Sequence, residues 1–95
     1  MEKEVQFHSA ENKGKAYLGE FNSPIAQMTF SITPNSVWII DHTEVNESLK
    51  GQGIGKKLLL TIVEKARGSK IEVVPLCPYA KHAFEKDESI QDVLK

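Results

Sequence analysis

The chain has 95 residues, of which 40% are hydrophobic and 26% are charged, and its formal net charge is −1. This length predicts one domain, residues 1–95, with a single modest core, and a charge near zero favours neither nucleic acid nor an anionic membrane as a partner. Cys77 is the single cysteine, which excludes an internal disulfide. A free thiol with no signal-peptide pattern indicates a cytoplasmic protein.

The first half of the chain has the pattern of β-strands separated by turns. Clusters of Asn, Gly, Ser and Pro separate four apolar segments, at residues 5–7, 16–18, 25–32 and 37–45. Connections this short predict an antiparallel meander of four strands.

The hydrophobic period changes after the fourth strand. From Ile54 to Ala66 apolar residues recur at the spacing of one helical face, and Gly68 is placed to end that helix. The segment KIEVVPL, residues 70–76, then predicts a short buried strand. A strand–helix–strand step forms a right-handed crossover, so residues 37–45 and 70–76 are predicted to be parallel neighbours.

The end of the chain predicts a second helix. Pro78 suits the first helical position, and the predicted helix covers PYAKHAFEKDE, residues 78–88. The tail SIQDVLK is expected to be a last short strand or a frayed end.

Three glycines alternate with other residues in LKGQGIGKK, residues 49–57, where the long helix begins. The unpaired N–H groups of a helix N-terminus attract anions, and glycines let a phosphate approach the backbone. The alternative is a glycine-rich turn without a ligand. We favour a ligand because glycine in a helix costs about 1 kcal/mol per residue.

Two phosphate-binding motifs fit this loop poorly. A P-loop needs four residues between its first glycine and the Gly-Lys pair, followed by Ser or Thr. Gly51 and Gly55 are separated by three residues, and Lys57 occupies the position of the hydroxyl. A dinucleotide fingerprint needs a glycine where Lys56 stands. Neither a nucleoside triphosphate nor a dinucleotide is therefore the favoured ligand.

The segment KGQGIG, residues 50–55, resembles the pyrophosphate loop of the GNAT superfamily of acetyltransferases, Gln/Arg-x-x-Gly-x-Gly/Ala. It matches at Gly53 and Gly55 and departs at Lys50. The resemblance extends over about residues 5–85. The stretches HTEV and LCPYAKHAFEK are similar to the abbreviated, single-domain branch of this superfamily.

The resemblance implies an α/β, GNAT-like fold with a mixed sheet: four antiparallel N-terminal strands, a central helix, a parallel fifth strand and a C-terminal helix. It also implies coenzyme A, as acetyl-CoA, for the anion. The residues expected to hold it are Val45, Lys50, Gly51, Gln52, Gly53, Ile54, Gly55, Lys56 and Lys57. The sequence predicts no metal site.

Two strand residues are candidates for a general base. Alternation along residues 37–45 puts Trp38, Ile40, His42 and Glu44 on one face of the sheet. An acceptor amine must lose a proton, and a histidine that titrates near neutral pH can take it. Glu44 is the second candidate, because strand glutamates are bases in many GNAT enzymes. Pairing of His42 with a nearby carboxylate for structure alone is the alternative.

Cys77 and Tyr79 are candidates at the start of the second helix. A thiol at a helix N-cap gains only about 0.3–1 kcal/mol from the helix dipole, so Cys77 needs help, for which His42 is the expected source. Cys77 would accept the acetyl group or protonate the departing thiolate, and Tyr79 would be a general acid, as in many GNAT enzymes. Core packing is the alternative for both residues.

Three classes of function remain open at this point. The first is an acetyltransferase that acts on an amine of a small molecule or a protein, by direct attack or through an acetyl-cysteine. The second is a module that binds coenzyme A or acyl-CoA without catalysis, and the third is a structural protein without a ligand. A monomer or a weak homodimer is expected.

Overall fold

A five-stranded sheet with the order β1-β2-β3-β4-β5 is the frame of this computed structural model, which describes residues 4–95. The first four strands pair antiparallel, and β5 pairs parallel to β4. This arrangement confirms the predicted α/β fold. The elements are β1 (Gln6–Ser9), β2 (Lys13–Glu20), β3 (Ser23–Ile32), β4 (Val37–Val45), α1 (Ile54–Gly68), β5 (Glu72–Pro75) and α2 (Pro78–Lys86). 3₁₀ helices cover Glu47–Leu49 and Glu88–Val93.

Both α-helices pack on the same face of the sheet. The apolar residues at helical spacing in α1 are buried, as the periodicity predicts: Leu58, Leu59, Ile62, Val63 and Ala66. They join one core with the inward residues of the strands, such as Met28, Phe30 and Ile40. The opposite face of β3 carries the polar residues Gln27, Thr29 and Ser31, so the sheet has one covered face and one open face.

A β-bulge in β4 changes which face its side chains occupy. Phe30 of β3 pairs with Ile40, but its neighbour Thr29 pairs with His42, which leaves Asp41 as the extra residue. His42 and Glu44 therefore lie on the open face, opposite to Ile40. The prediction that His42 and Glu44 share a face with Trp38 and Ile40 was wrong, because strict alternation fails at a bulge.

Strands β4 and β5 separate halfway along β4. Their pairing ends with Ile40 opposite Pro75, and the N–H groups of Leu76 and Cys77 both donate to the Ile40 carbonyl at 3.1 Å. The chain then turns into α2, which begins at Pro78 as predicted. A gap opens between the second half of β4 and the start of α2.

The tail differs from both predictions for it. The 3₁₀ helix over Glu88–Val93 buries Ile90 and Val93 in the core. Leu94 then forms a single parallel bridge with Val73, and the Lys95 N–H donates to the Val73 carbonyl at 3.1 Å. The tail is thus packed, with only one bridge of strand character. Within residues 4–95 no helix is both long and apolar enough to cross a membrane.

Candidate active site

Two glycines of the loop before α1 adopt a left-handed backbone conformation that other residues rarely adopt. Gly51 has a φ of 81° and Gly53, the N-cap of α1, has a φ of 71°. Both values lie in the left-handed region, where a Cβ costs about 1–2 kcal/mol. The first helical hydrogen bond runs from the Lys57 N–H to the Gly53 carbonyl at 3.2 Å. The N–H groups of residues 54–56 therefore have no helical acceptor and are available to an anion.

Gly55 is needed for a different reason. A Cβ at this position would lie 2.7 Å from the Cζ and the hydroxyl oxygen of Tyr79, which is too close for any contact between heavy atoms of this kind. The absent side chain lets the phenol of α2 pack directly on the first turn of α1. Gly55 thereby links the anion-binding loop to a candidate acid.

A groove of about 620 Å³ begins at this loop. Six of the predicted cofactor residues line it: Val45, Lys50, Gly51, Gly53, Ile54 and Gly55. Glu44, Tyr79 and Thr43 line it as well. The predicted loop, the second half of β4 and the start of α2 thus form one continuous surface, and its volume is within the usual range for a small-molecule site.

Three predicted cofactor residues lie outside this groove. The side-chain amide of Gln52 donates to the Ser48 carbonyl at 3.3 Å. Lys56 lines a neighbouring groove of about 440 Å³ between α1 and α2, with its ammonium 4.0 Å from Asp87. Lys57 is exposed on the first turn of α1. Lys56 and Lys57 add positive charge near the start of α1 without lining the groove.

Cys77 lies in the turn between β5 and α2, where it belongs to the buried core and does not line the loop groove. It is the N-cap residue of α2 and is only 6% exposed. Its sulfur lies 3.1 Å from the Thr43 hydroxyl, and either group can donate the hydrogen bond. His42 does not face Cys77, because the bulge directs it to the open face, and the hydrogen-bond partner of the sulfur is Thr43. Sequence reasoning assigned no role to Thr43, although it is the second residue of the stretch HTEV.

Tyr79 stands at the junction of two grooves. It lines both the loop groove and the groove between α1 and α2, and the residue is 43% exposed. Burial raises the pKa of Tyr79 above the usual value of 10.0, and the nearby Cys77 raises it further. The phenol therefore keeps its proton at neutral pH and can donate it.

His42 and Glu44 lie in a third groove, of about 670 Å³, on the open face of the sheet. Glu44 also lines the loop groove, so it stands where the two grooves meet. Its Oε1 accepts a hydrogen bond from the Gln27 amide at 2.8 Å. In residues 4–95 no group of three or more His, Cys, Asp or Glu side chains is placed to hold a metal ion.

Comparison with known proteins identifies the family. The family model for the GCN5-related N-acetyltransferases matches residues 15–93. The solution structure of a candidate GCN5-like N-acetyltransferase from Staphylococcus aureus is 41% identical, with 95% of this chain and 87% of that chain covered and a TM-score of 0.74. This chain therefore belongs to the GCN5-related N-acetyltransferase family, which confirms the resemblance seen in its sequence. A search of curated proteins gave no significant match.

More distant structures share the fold. A ribosomal-protein-alanine N-acetyltransferase from Brucella melitensis is 17% identical, with 81% of this chain and 62% of that chain covered and a TM-score of 0.66. A candidate streptothricin acetyltransferase from Bacillus anthracis, solved in complex with acetyl coenzyme A, is 16% identical. There the alignment covers 70% of this chain and 38% of that chain, with a TM-score of 0.56. The chain thus covers less than two thirds of each of these longer proteins.

Proposed function

We propose that this chain is an N-acetyltransferase that binds acetyl-CoA and moves its acetyl group to an amine, as a cytoplasmic monomer or weak homodimer. The observation that carries the proposal is the set of free N–H groups in the first turn of α1, where Ile54 and Gly55 line a groove that also contains Tyr79. Family membership supports the proposal, and so does the acetyl coenzyme A bound to the related fold from Bacillus anthracis.

The loop suits a pyrophosphate. Its anionic oxygens accept hydrogen bonds from N–H groups at the positive end of a helix. The space beside Gly51 and Gly53 is open, because a Cβ at either position would have no neighbour within 4 Å. Lys50 adds a cation at the rim. The pantetheine arm would follow Thr43–Val45 toward the gap at Cys77.

Acetyl-CoA supplies the acetyl thioester, and the protein supplies proton transfer and orientation. In direct transfer, His42 or Glu44 takes a proton from the acceptor ammonium. The amine nitrogen then forms a bond to the acetyl carbon, and the carbon–sulfur bond breaks. The departing thiolate takes a proton from the Tyr79 phenol or the Cys77 thiol, and the second proton that the nitrogen loses as the amide forms restores that group.

A relay through Cys77 fits the same site. The Cys77 sulfur bonds to the acetyl carbon as the carbon–sulfur bond of acetyl-CoA breaks, and the thiol proton passes to the departing thiolate. The amine, which His42 or Glu44 has deprotonated, then takes the acetyl group, and its second proton returns to the released Cys77 sulfur. Thr43 supports this route, because its hydroxyl can donate a hydrogen bond to a Cys77 thiolate at 3.1 Å. Intact mass after incubation with acetyl-CoA separates the routes: the relay leaves one acetyl group on the wild type and none on Cys77→Ala.

Thermal unfolding with acetyl-CoA, coenzyme A, NAD and ATP, each added separately, tests the cofactor. A ligand at about a hundred times its dissociation constant adds about 2.7 kcal/mol of stability, which raises the midpoint of a domain this small by roughly 10 °C or more. Gly53→Asp should abolish the rise with acetyl-CoA, measured against its own ligand-free midpoint. Gly68→Asp makes the same change at the other end of α1 and should retain it. A larger rise with NAD or ATP would contradict the proposal.

Acetyl transfer separates the enzyme from a module that only binds. Release of coenzyme A should depend on an added amine, and it should fall in Tyr79→Phe and in His42→Ala while acetyl-CoA still raises the midpoint. Binding without transfer to any amine, from small amines to lysine peptides, would establish the binding module instead.

A further inference from the structure

The groove on the open face of the sheet contains three ionisable side chains of β4 that the bulge brings to the same side. His42 pairs with Thr29, a residue of the open face, and the Asp41 carboxylate accepts a hydrogen bond from Ser31 on that face at 2.8 Å. Glu44 follows on the same side, held by Gln27. Without the bulge, Asp41 would point away from its two neighbours.

The two carboxylates are hydrogen-bonded but not neutralised. Each accepts from one neutral donor, the Ser31 hydroxyl for Asp41 and the Gln27 amide for Glu44. Ion pairs in the described part of the chain, residues 4–95, involve other acids, namely Glu47, Asp87 and Asp92. Asp41 and Glu44 therefore present negative charge to the groove on either side of His42, where a cation would be attracted.

The positive charges of this groove lie on its other side. Lys15 of β2 pairs with Thr29, which in turn pairs with His42, so the backbones of β2 and β4 lie about 10 Å apart. The Lys15 ammonium and the Glu44 carboxylate both bond to the side chain of Gln27, which lies between them. The Lys15 ammonium is held by the Phe21 carbonyl at 2.6 Å and by Gln27 at 3.2 Å. Lys13 lines the same wall. The groove is thus acidic along β4 and basic along β2.

We infer that Asp41 and Glu44 bind the ammonium group of the acceptor, and that this groove selects alkylamines with no carboxylate next to the amine. The inference rests on the proposed acetyltransferase function. Glu44 lines both the open-face groove and the loop groove, so an ammonium beside it lies at the passage to the acetyl group. A carboxylate on the adjacent carbon would be held against Asp41 and Glu44 and repelled. A carboxylate several carbons away would reach the side of Lys13 and Lys15.

Three acceptors that share one five-carbon chain test this selectivity. Pentylamine has no carboxylate, norleucine adds one on the carbon next to the amine, and 6-aminohexanoate adds one at the far end. The wild type should show kcat/KM values for pentylamine and 6-aminohexanoate at least about tenfold above that for norleucine, as expected for like charges held close together.

The variant Asp41→Asn separates charge recognition from other effects. It should raise KM for pentylamine and lower the ratio of pentylamine to norleucine kcat/KM several-fold, a comparison in which the intrinsic reactivity of each amine cancels. Transfer to an arylamine that is uncharged at neutral pH should be unchanged. Glu85→Gln, the same loss of charge at an exposed position of α2, should leave every value as in the wild type.

The outcomes distinguish this inference from the function on which it rests. An unchanged ratio in Asp41→Asn, or equal transfer to pentylamine and norleucine by the wild type, would overturn the acceptor site and leave the acetyltransferase intact. Transfer to no amine at all, with acetyl-CoA still bound, would overturn the proposed function and the inference together.

Discussion

At the scale of single residues, Tyr79 is the side chain whose protonation the structure specifies most directly. Burial and the neighbouring Cys77 raise the pKa of Tyr79 above 10.0. We expect the spectroscopic titration of Tyr17→Phe, in which Tyr79 is the single tyrosine, to have its midpoint above that value. A midpoint at or below 10.0 would contradict the packing of the phenol on α1.

The same shift makes stability depend on pH. A group whose pKa is higher in the folded state contributes stability below its unfolded pKa, and this contribution is lost as the pH rises through the folded value. The free energy of unfolding from urea titrations should therefore fall above pH 10, and it should fall less in Tyr79→Phe.

The contact between Gly55 and Tyr79 gives a second prediction. Gly55→Ala would put a Cβ 2.7 Å from the ring, and the half-exposed phenol should swing outward. The gain in helix propensity, about 1 kcal/mol, should keep the stability near that of the wild type. The pKa of Tyr79 should fall toward its usual value and acetyl transfer should decrease. In the control Gly68→Ala the new Cβ has no neighbour within 4 Å, so neither the pKa of Tyr79 nor the rate of acetyl transfer should change. A normal rate of transfer in Gly55→Ala would show that the contact is dispensable.

At the scale of elements, the hydrophobic period was enough to predict the order of strands and helices. It could not predict the bulge, because an extra residue in β4 depends on its register with β3, and the sequence VWIIDHTEV alternates plausibly without one. Without the bulge, the prediction placed His42 and Glu44 on the same face as Ile40. For the same reason it did not identify Thr43 as the hydrogen-bond partner of Cys77. The glycine loop was predictable because its requirements are local to the backbone.

The tail was not predictable because its position depends on a contact distant in sequence. Arg67 at the end of α1 donates to both carboxylate oxygens of Asp92, at 2.8 Å and 2.6 Å, and to the Ser89 carbonyl at 3.1 Å. The segment SIQDVLK has neither the length nor the period of a regular element. Its structure comes from this anchor and from the burial of Ile90 and Val93.

This anchor predicts a specific loss of stability in acid. The hydrogen bonds from Arg67 lower the pKa of Asp92 below its usual value of 3.8. Such a group contributes stability above pH 3.8 that is lost as the pH falls through its folded pKa. Asp92→Asn should lower the unfolding midpoint at pH 7 in low salt and should lose less stability than the wild type between pH 5 and pH 3. Equal acid sensitivity of the two proteins would show that the pair does not hold the tail.

At the scale of the whole molecule, one core connects all of the elements. The radius of gyration is 12.5 Å, close to the roughly 12.4 Å expected for one compact domain of this length. The aromatic residues Phe30 and Trp38 stack at 4.5 Å in this core. Phe84 of α2 and Ile90 of the tail belong to the same cluster. The covered face is therefore one structural unit, and the open face carries the groove that we propose for the acceptor.

A single core predicts a single cooperative transition. Trp38 is the one tryptophan of the chain and reports on the sheet, whereas far-UV circular dichroism at 222 nm reports mainly on the helices. The two probes should give the same midpoint and the same slope in urea. Addition of acetyl-CoA should move both curves together, because ligand energy gained at the start of α1 is shared by the whole unit. An earlier loss of helical signal would mean that α2 and the tail unfold separately. In that case Tyr79 and Cys77 would leave the site before the sheet unfolds.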